Sequence, residues 1–179
     1  MSQGTFIVYA CPVGALNDQV AAYFLAAQKA FGPNPAHEYM PHCTLTGFFQ
    51  DAHAALPLYG SALDAALADA GPAPTPAVEV VETLFRDDFH GLALTSPWLT
   101  QLTASFARRA HSPTRQASLR LKTWLHLSFA YSFAPEQGPG LARLARAMID
   151  PTAPARWELR LYERQADHSW ALHAAWLIA

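Results

Sequence analysis

An eight-residue pattern occurs twice in this chain, and its repetition limits the folds available. "HCTLTGFF" occupies residues 42–49 and "HLSFAYSF" residues 126–133, so the second begins 84 positions after the first. Each opens on His, places Thr or Ser two residues on, and closes on Phe. Each precedes a helical stretch, a Pro-rich connector ("GPAPTPA", "DPTAPA") and two apolar runs separated by a turn. Pro76 and Pro154 lie 78 positions apart, close to the spacing of the histidines. Such self-similarity signals internal duplication. A chain of 179 residues, 51% of them hydrophobic, buries roughly 70% of its unfolded surface as one compact unit. The expectation is a single bilobal domain over 1–179, with pseudo-repeats of about 1–95 and 96–179.

The elements follow from periodicity and breakers. "TFIVYA" (5–10) reads as a strand, rich in β-branched and aromatic residues. From Asn17, residues Leu16, Val20, Tyr23, Phe24, Ala27 and Phe31 form one helical stripe, closed by Gly32-Pro33. The first His octet reads as a strand, and residues 58–70 as an Ala-rich helix stopped at Gly71-Pro72. "AVEVVETLF" and "HGLALTS" predict a hairpin across "RDD". Ser96-Pro97 is a helix start, with Ser as N-cap and Pro at the first helical position. Trp98, Leu99, Leu102 and Phe106 form that helix's buried face. "LRLKTWLHLSFAYSF" reads as one long strand, and Leu141, Leu144, Ala145 and Met148 mark a short helix. "RWELRLYER" and "HSWALHAAWLIA" form a closing hairpin across "QAD". Two hairpins favour mainly antiparallel sheets with flanking helices, an α+β fold, over a doubly wound parallel sheet.

Composition narrows the function. A formal charge of −2 with 15% charged residues provides no global field for nucleic acid or an anionic membrane. An anionic ligand therefore needs a local cluster. The N-terminal residues lack the basic start and apolar run of a signal peptide, and no run approaches a membrane span. Two cysteines, Cys11 and Cys43, are too few for a disulfide framework. A cytoplasmic monomer without an extended nucleic-acid surface is expected.

The paired octets carry the chemistry. Chance gives about one His-x-Ser/Thr among eight histidines, eleven threonines and nine serines, and two are present. In a strand, alternate side chains share a face, so His42 pairs with Thr44 and His126 with Ser128. Two imidazoles and two hydroxyls facing one cleft suit phosphodiester chemistry. A neutral His takes a proton from the attacking oxygen, an imidazolium donates one to the leaving oxygen, and hydroxyls hold the non-bridging oxygens. An unperturbed His titrates near 6.5, so a bell-shaped pH profile peaking near neutrality follows. By the same parity Thr46 and Phe48 face the cleft with His42, while Cys43, Leu45 and Phe49 face the core. Trp124, Lys122 and Arg120 share the face of His126 if no bulge intervenes. Phe48 and Trp124 are candidate base-stacking residues and Lys122 a candidate phosphate contact.

Other motifs are weaker. His37, His42 and Cys43 lack a second ligand pair, so no metal and no cofactor are expected. His53, His90, His111, His168 and His173 read as surface or interface histidines. "ARRAH" (107–111) complements a helix C-terminus. There is no Gly-rich nucleotide loop.

The paired octets resemble the two-histidine phosphoesterase superfamily, and "PHCTLTGFF" and "LHLSFAYSF" are most similar to the phosphoesterase-like domain of UBASH proteins. The resemblance implies a bilobal α+β fold with a central cleft and metal-independent catalysis. It also implies His42, Thr44, His126 and Ser128 as the working residues. The activity it implies is cleavage of a cyclic nucleotide phosphate, or of a 2′-5′-linked or RNA-end phosphodiester. Alternatives are 2′-5′ RNA ligation, disfavoured by the low charge, and a non-catalytic nucleotide-binding module.

Overall fold

The computed structural model describes residues 2–178. The first strand, β1 (Gln3–Val13), leads into helix α1 (Ala15–Phe31), whose Leu16, Val20, Tyr23, Phe24 and Ala27 are buried along the expected stripe. Gly32 ends α1 with a positive φ of 87°, its N–H donating to the Gln28 carbonyl, a left-handed stop that favours glycine. The chain continues through β2 (Cys43–Thr44), β3 (Phe49–Ala52), α2 (Leu56–Ala70), β4 (Glu79–Phe85) and β5 (Phe89–Thr95). Helix α3 (Pro97–Arg109) starts on Ser96, whose hydroxyl accepts from the Leu99 N–H at 3.1 Å. Then follow β6 (Leu125–Tyr131), α4 (Gly138–Met148), β7 (Arg156–Arg164) and β8 (Trp170–Ile178).

The eight strands among the described residues join one antiparallel sheet, in the order β4-β5-β6-β2-β1-β7-β8, with β3 pairing β1 beside β2. The order has an internal symmetry about the β6–β2 junction. On one side β6 is followed outward by β5 and β4, and on the other β2 is followed by β1 and β7. Along the chain, β1-α1-β2-α2-β4 corresponds to β5-α3-β6-α4-β7, with β8 added at the edge. Each hairpin is therefore exchanged: β4–β5 pairs with the second His strand, and β7–β8 pairs with β1. The junction covers what would otherwise be two unpaired strand edges.

The helices pack on one face of this sheet. Val8, Leu92, Leu127 and Leu159 from four strands form one core with Leu16 of α1, Leu63 of α2, Leu102 of α3 and Leu141 of α4. On the opposite face a small aromatic cluster of Ile7, Tyr9, Cys11 and Tyr162 packs with Tyr39, Met40 and Trp170. Strand alternation explains the division: Val8 and Ala10 face the helices while Ile7 and Tyr9 face away. No described helix is long and apolar enough to cross a membrane.

Three local expectations change. The two His strands are shorter than expected, because β2 holds only Cys43–Thr44 and the long strand read over 119–133 is confined to β6, Leu125–Tyr131. Residues 120–122 instead form an irregular pairing with 45–47: Gly47 N–H donates to the Arg120 carbonyl at 2.7 Å and Lys122 N–H to the Leu45 carbonyl at 2.9 Å. A surface or interface place for His90 is also overturned, since it is buried against Phe85 and Phe133 on the side of β5 away from Phe89.

Candidate functional site

The β6–β2 junction brings the two octets side by side, with Cys43 opposite Leu127. Both of these face the helical core, so their neighbours His42, Thr44, His126 and Ser128 emerge together on the other face. There they line one cavity of about 370 Å³. Phe48, Lys122 and Trp124 line the same cavity, so all seven residues singled out from the sequence converge on it. A bulge does interrupt β6 opposite the His90–Gly91 step, but it lies beyond Ser128 and leaves the alternation from His126 to Ser128 intact. Cys43, Leu45 and Phe49 are buried behind the cavity, as parity requires.

The two histidines share one local arrangement. His42 Nδ1 lies 2.7 Å from the Met40 carbonyl, and His126 Nδ1 lies 3.2 Å from the Trp124 carbonyl. A carbonyl only accepts, so each Nδ1 carries the proton and each neutral ring leaves Nε2 as its free acceptor. Each ring also rests on an aromatic surface: Tyr9 at 4.0 Å between centroids for His42, and Trp124 at 4.1 Å for His126. Tyr39 and Phe89 make second contacts, at 5.4 and 5.5 Å. These contacts restrict ring rotation, which matters for a group that must present one nitrogen in a fixed direction.

Burial dominates the electrostatics. It pushes His42 down to about 4, against a smaller upward effect of the Met40 carbonyl and with a further downward push from His126. Burial also lowers His126; the Trp124 carbonyl opposes it and the Lys122 ammonium adds to it. Both imidazoles are therefore neutral at pH 7. Among the described residues, neither the Thr44 nor the Ser128 hydroxyl has a protein hydrogen-bond partner, although both reach the cavity. Thr46 differs: it is fully buried, and its Oγ1 accepts from the Val8 N–H at 3.1 Å, which ties the octet to β1.

Aromatic walls close the cavity on two sides. Trp124, 45% exposed, stacks on His126 and carries the Arg86 guanidinium 5.8 Å from its ring. Phe48, 38% exposed, stacks on Trp170 at 6.1 Å. Sequence parity did not reveal Tyr9, Tyr39, Phe89 or Tyr131, which also line the cavity. Tyr9 and Phe89 lie on neighbouring strands whose pairing is not encoded locally, and the other two carry no motif. Nor does His37 join the octet as a ligand: its Nε2 contacts the Phe129 carbonyl and its ring packs on Phe24 at 4.8 Å. Among the described residues no three His, Cys, Asp or Glu side chains converge as metal ligands.

No family model matches the chain. It is similar to proteins named ecdysteroid-phosphate phosphatase, at 27% identity over 165 residues in Bombyx mori and 28% over 196 in Drosophila melanogaster. It is likewise 27% identical over 165 residues to the Homo sapiens ubiquitin-associated and SH3 domain-containing protein B. Each match takes in 89% of this chain but only 24–26% of the relative. The chain thus spans about a quarter of the length of these curated relatives.

Proposed function

We propose that this chain is a two-histidine phosphoesterase, a metal-independent phosphodiesterase that cleaves a cyclic nucleotide phosphate or a 2′-5′-linked or RNA-end phosphodiester. The observation that carries this reading is the paired presentation of His42 and His126. Both have Nδ1 held by the carbonyl two residues earlier, and both share a cavity with two unpartnered hydroxyls. The names of the phosphatase relatives support a phosphoester substrate. The diester, and its nucleotide character, rest on the paired acid–base geometry and on the partly exposed aromatic side chains of Trp124 and Phe48.

The chemistry uses the site as follows. A phosphate entering between the rings brings negative charge, which raises the proton affinity of both. His42, the more strongly depressed, stays neutral and takes a proton from the attacking water at Nε2. His126, protonated once the anion is bound, donates from Nε2 to the leaving oxygen. Thr44 and Ser128 donate hydrogen bonds to the non-bridging oxygens, where negative charge accumulates. Each positioned proton transfer contributes on the order of 10²–10⁴ in rate. A hydroxyl of a second strand attacking a 2′,3′-cyclic phosphate in place of water would open the ring and join the strands, the ligating direction.

The test is turnover of 2′,3′-cyclic nucleotides, 3′,5′-cyclic nucleotides and 2′-5′ dinucleotides in the presence of EDTA. Hydrolysis of one of them, undiminished by the chelator, is expected. Activity lost in EDTA and restored by zinc or magnesium would refute the metal-free mechanism. Tight nucleotide binding without turnover would make the chain a binding module instead.

A further inference from the structure

The cavity is more positive than a single phosphodiester requires. Two cations line it, Arg120 and Lys122, and no Asp or Glu does. Neither forms an ion pair among the described residues, whereas Arg109, Arg160 and Arg164 each have a carboxylate partner. In a chain of net charge −2, two uncompensated cations in one cavity are a local feature with an electrostatic cost.

Their placement follows from the irregular pairing of 120–122 with 45–47. Alternation directs Arg120 and Lys122 to one side, leaving Leu121 on the other. Gly47 then admits the arginine: a Cβ at this position would stand 3.1 Å from Arg120 Nε and Nη2. The guanidinium thus lies along the backbone of the first octet, in the cavity that the histidine pair also lines.

We infer that Arg120 and Lys122 form a second anion subsite, which takes a phosphate of the substrate other than the one being cleaved. The inference rests on the phosphoesterase reading and narrows it to substrates with two phosphates. Charge matching supports it. A cyclic phosphodiester carries one negative charge, against an imidazolium, a guanidinium and an ammonium. A second phosphate offsets the cations that remain, both of them if it is a terminal monoester and one if it is a further diester, and the planar guanidinium suits bidentate contact with its oxygens. The second phosphate also neutralises Lys122, whose charge pushes the His126 proton affinity down. Filling the subsite therefore favours protonation of the neighbouring imidazole.

That phosphate has two chemical sources: the terminal 5′-phosphate of a mononucleotide, or the next diester along an RNA end. Calorimetric titration of the intact protein distinguishes them, with adenosine 3′-monophosphate, adenosine 3′,5′-bisphosphate and the dinucleotide ApAp as probes. A probe with a second phosphate should bind about ten- to a hundredfold more tightly than the monophosphate. The preference should collapse in Arg120→Ala and return in part in Arg120→Lys. Gly47→Ala keeps the charge and displaces only the guanidinium, so it should reduce the preference too. Tighter binding of the bisphosphate assigns a terminal phosphate, and tighter binding of ApAp a diester. Equal affinities for all three probes, a preference that survives Arg120→Ala, or no binding at all would overturn the subsite. Absence of turnover with the binding preference intact would instead overturn the catalytic reading alone.

Discussion

His42 and His126 carry the same hydrogen bond to a carbonyl two residues back, yet their surroundings differ, and the difference bears on pH dependence. A general base works above its pKa and a general acid below its own. With His42 near 4 and His126 below 6.5, the profile of kcat/KM, which reports the free protein, peaks on the acid side of neutrality. This departs from the neutral optimum expected of unperturbed histidines, and burial is the reason. The profile of kcat should lie at higher pH, because the bound phosphate favours protonation. The two limbs belong to the pair, since the groups interact. Single-turnover rates against pH check both statements, and a flat profile or a kcat/KM optimum above about pH 7 would contradict the acid–base pair. His42→Ala and His126→Ala should each remove most activity, and the double variant little more, because the residues act as a unit. Thr44→Ala and Ser128→Ala should cost at most about 2.7–4 kcal/mol each, the range for a lost oxyanion-type donor.

The element that carries Arg120, Lys122 and Trp124 is the irregular segment between α3 and β6, and its strand pairing is limited to the short contact of 120–122 with 45–47. A buried carboxylate ties down its earlier part. Asp51, at the end of β3, accepts from the hydroxyls of Thr114 and Tyr59, and Arg115 donates to the Tyr59 oxygen at 2.9 Å. Burial pushes the Asp51 carboxyl upward, but hydrogen bonds from Ser112, Thr114 and Tyr59 outweigh it and leave the group below 3.8. A depressed carboxylate contributes stability above its unfolded value and loses it as pH falls through the folded one. Asp51→Asn should therefore destabilise the protein by about 1–3 kcal/mol at neutral pH and flatten the acid limb of its stability curve. It should also raise KM more than it lowers kcat, since the loosened segment bears binding groups. Denaturant melts across pH and steady-state kinetics give the two readouts, and an unchanged KM would separate this clamp from the cavity.

Across the whole molecule, the exchanged hairpins make each half depend on the other. One tie is polar: Glu163 on β7 is buried between two histidines, with His53 Nε2 at 2.7 Å and His173 Nε2 at 2.8 Å. His53 Nδ1 faces the Ser2 carbonyl at 3.1 Å, so both its nitrogens meet acceptors, an arrangement that favours the imidazolium over the neutral ring. The Glu163 carboxylate, then the Ser2 carbonyl, raise its pKa above 6.5. Stability from a raised group is complete below the unfolded pKa and fades as pH rises through the folded one. The melting temperature of the wild type should thus exceed that of Glu163→Gln most below about pH 6.5, with the gap narrowing toward alkaline pH. A gap independent of pH would show that the tie is not ionic.

The sequence alone was sufficient for the helices, the two hairpins and the pairing of His42 with Thr44 and His126 with Ser128. Those features rest on local rules: the stripe from Leu16 to Phe31, the Ser96 cap, the stop at Gly32, and the alternation of side chains along a strand. It also indicated that the octets belong together, because the same residue pattern recurs with the same kinds of element after it. Only the tertiary structure decided which strands neighbour which, and so placed Tyr9 and Phe89 beside the histidines. Pairing between β6 and β2 joins residues 84 positions apart in their octets through a single opposed pair, Cys43 and Leu127, and no local propensity encodes that register. Burial was decided there too. A histidine's proton affinity depends on the water its neighbours exclude, and a glycine at 47 gains meaning only when an arginine from a distant segment lies across it.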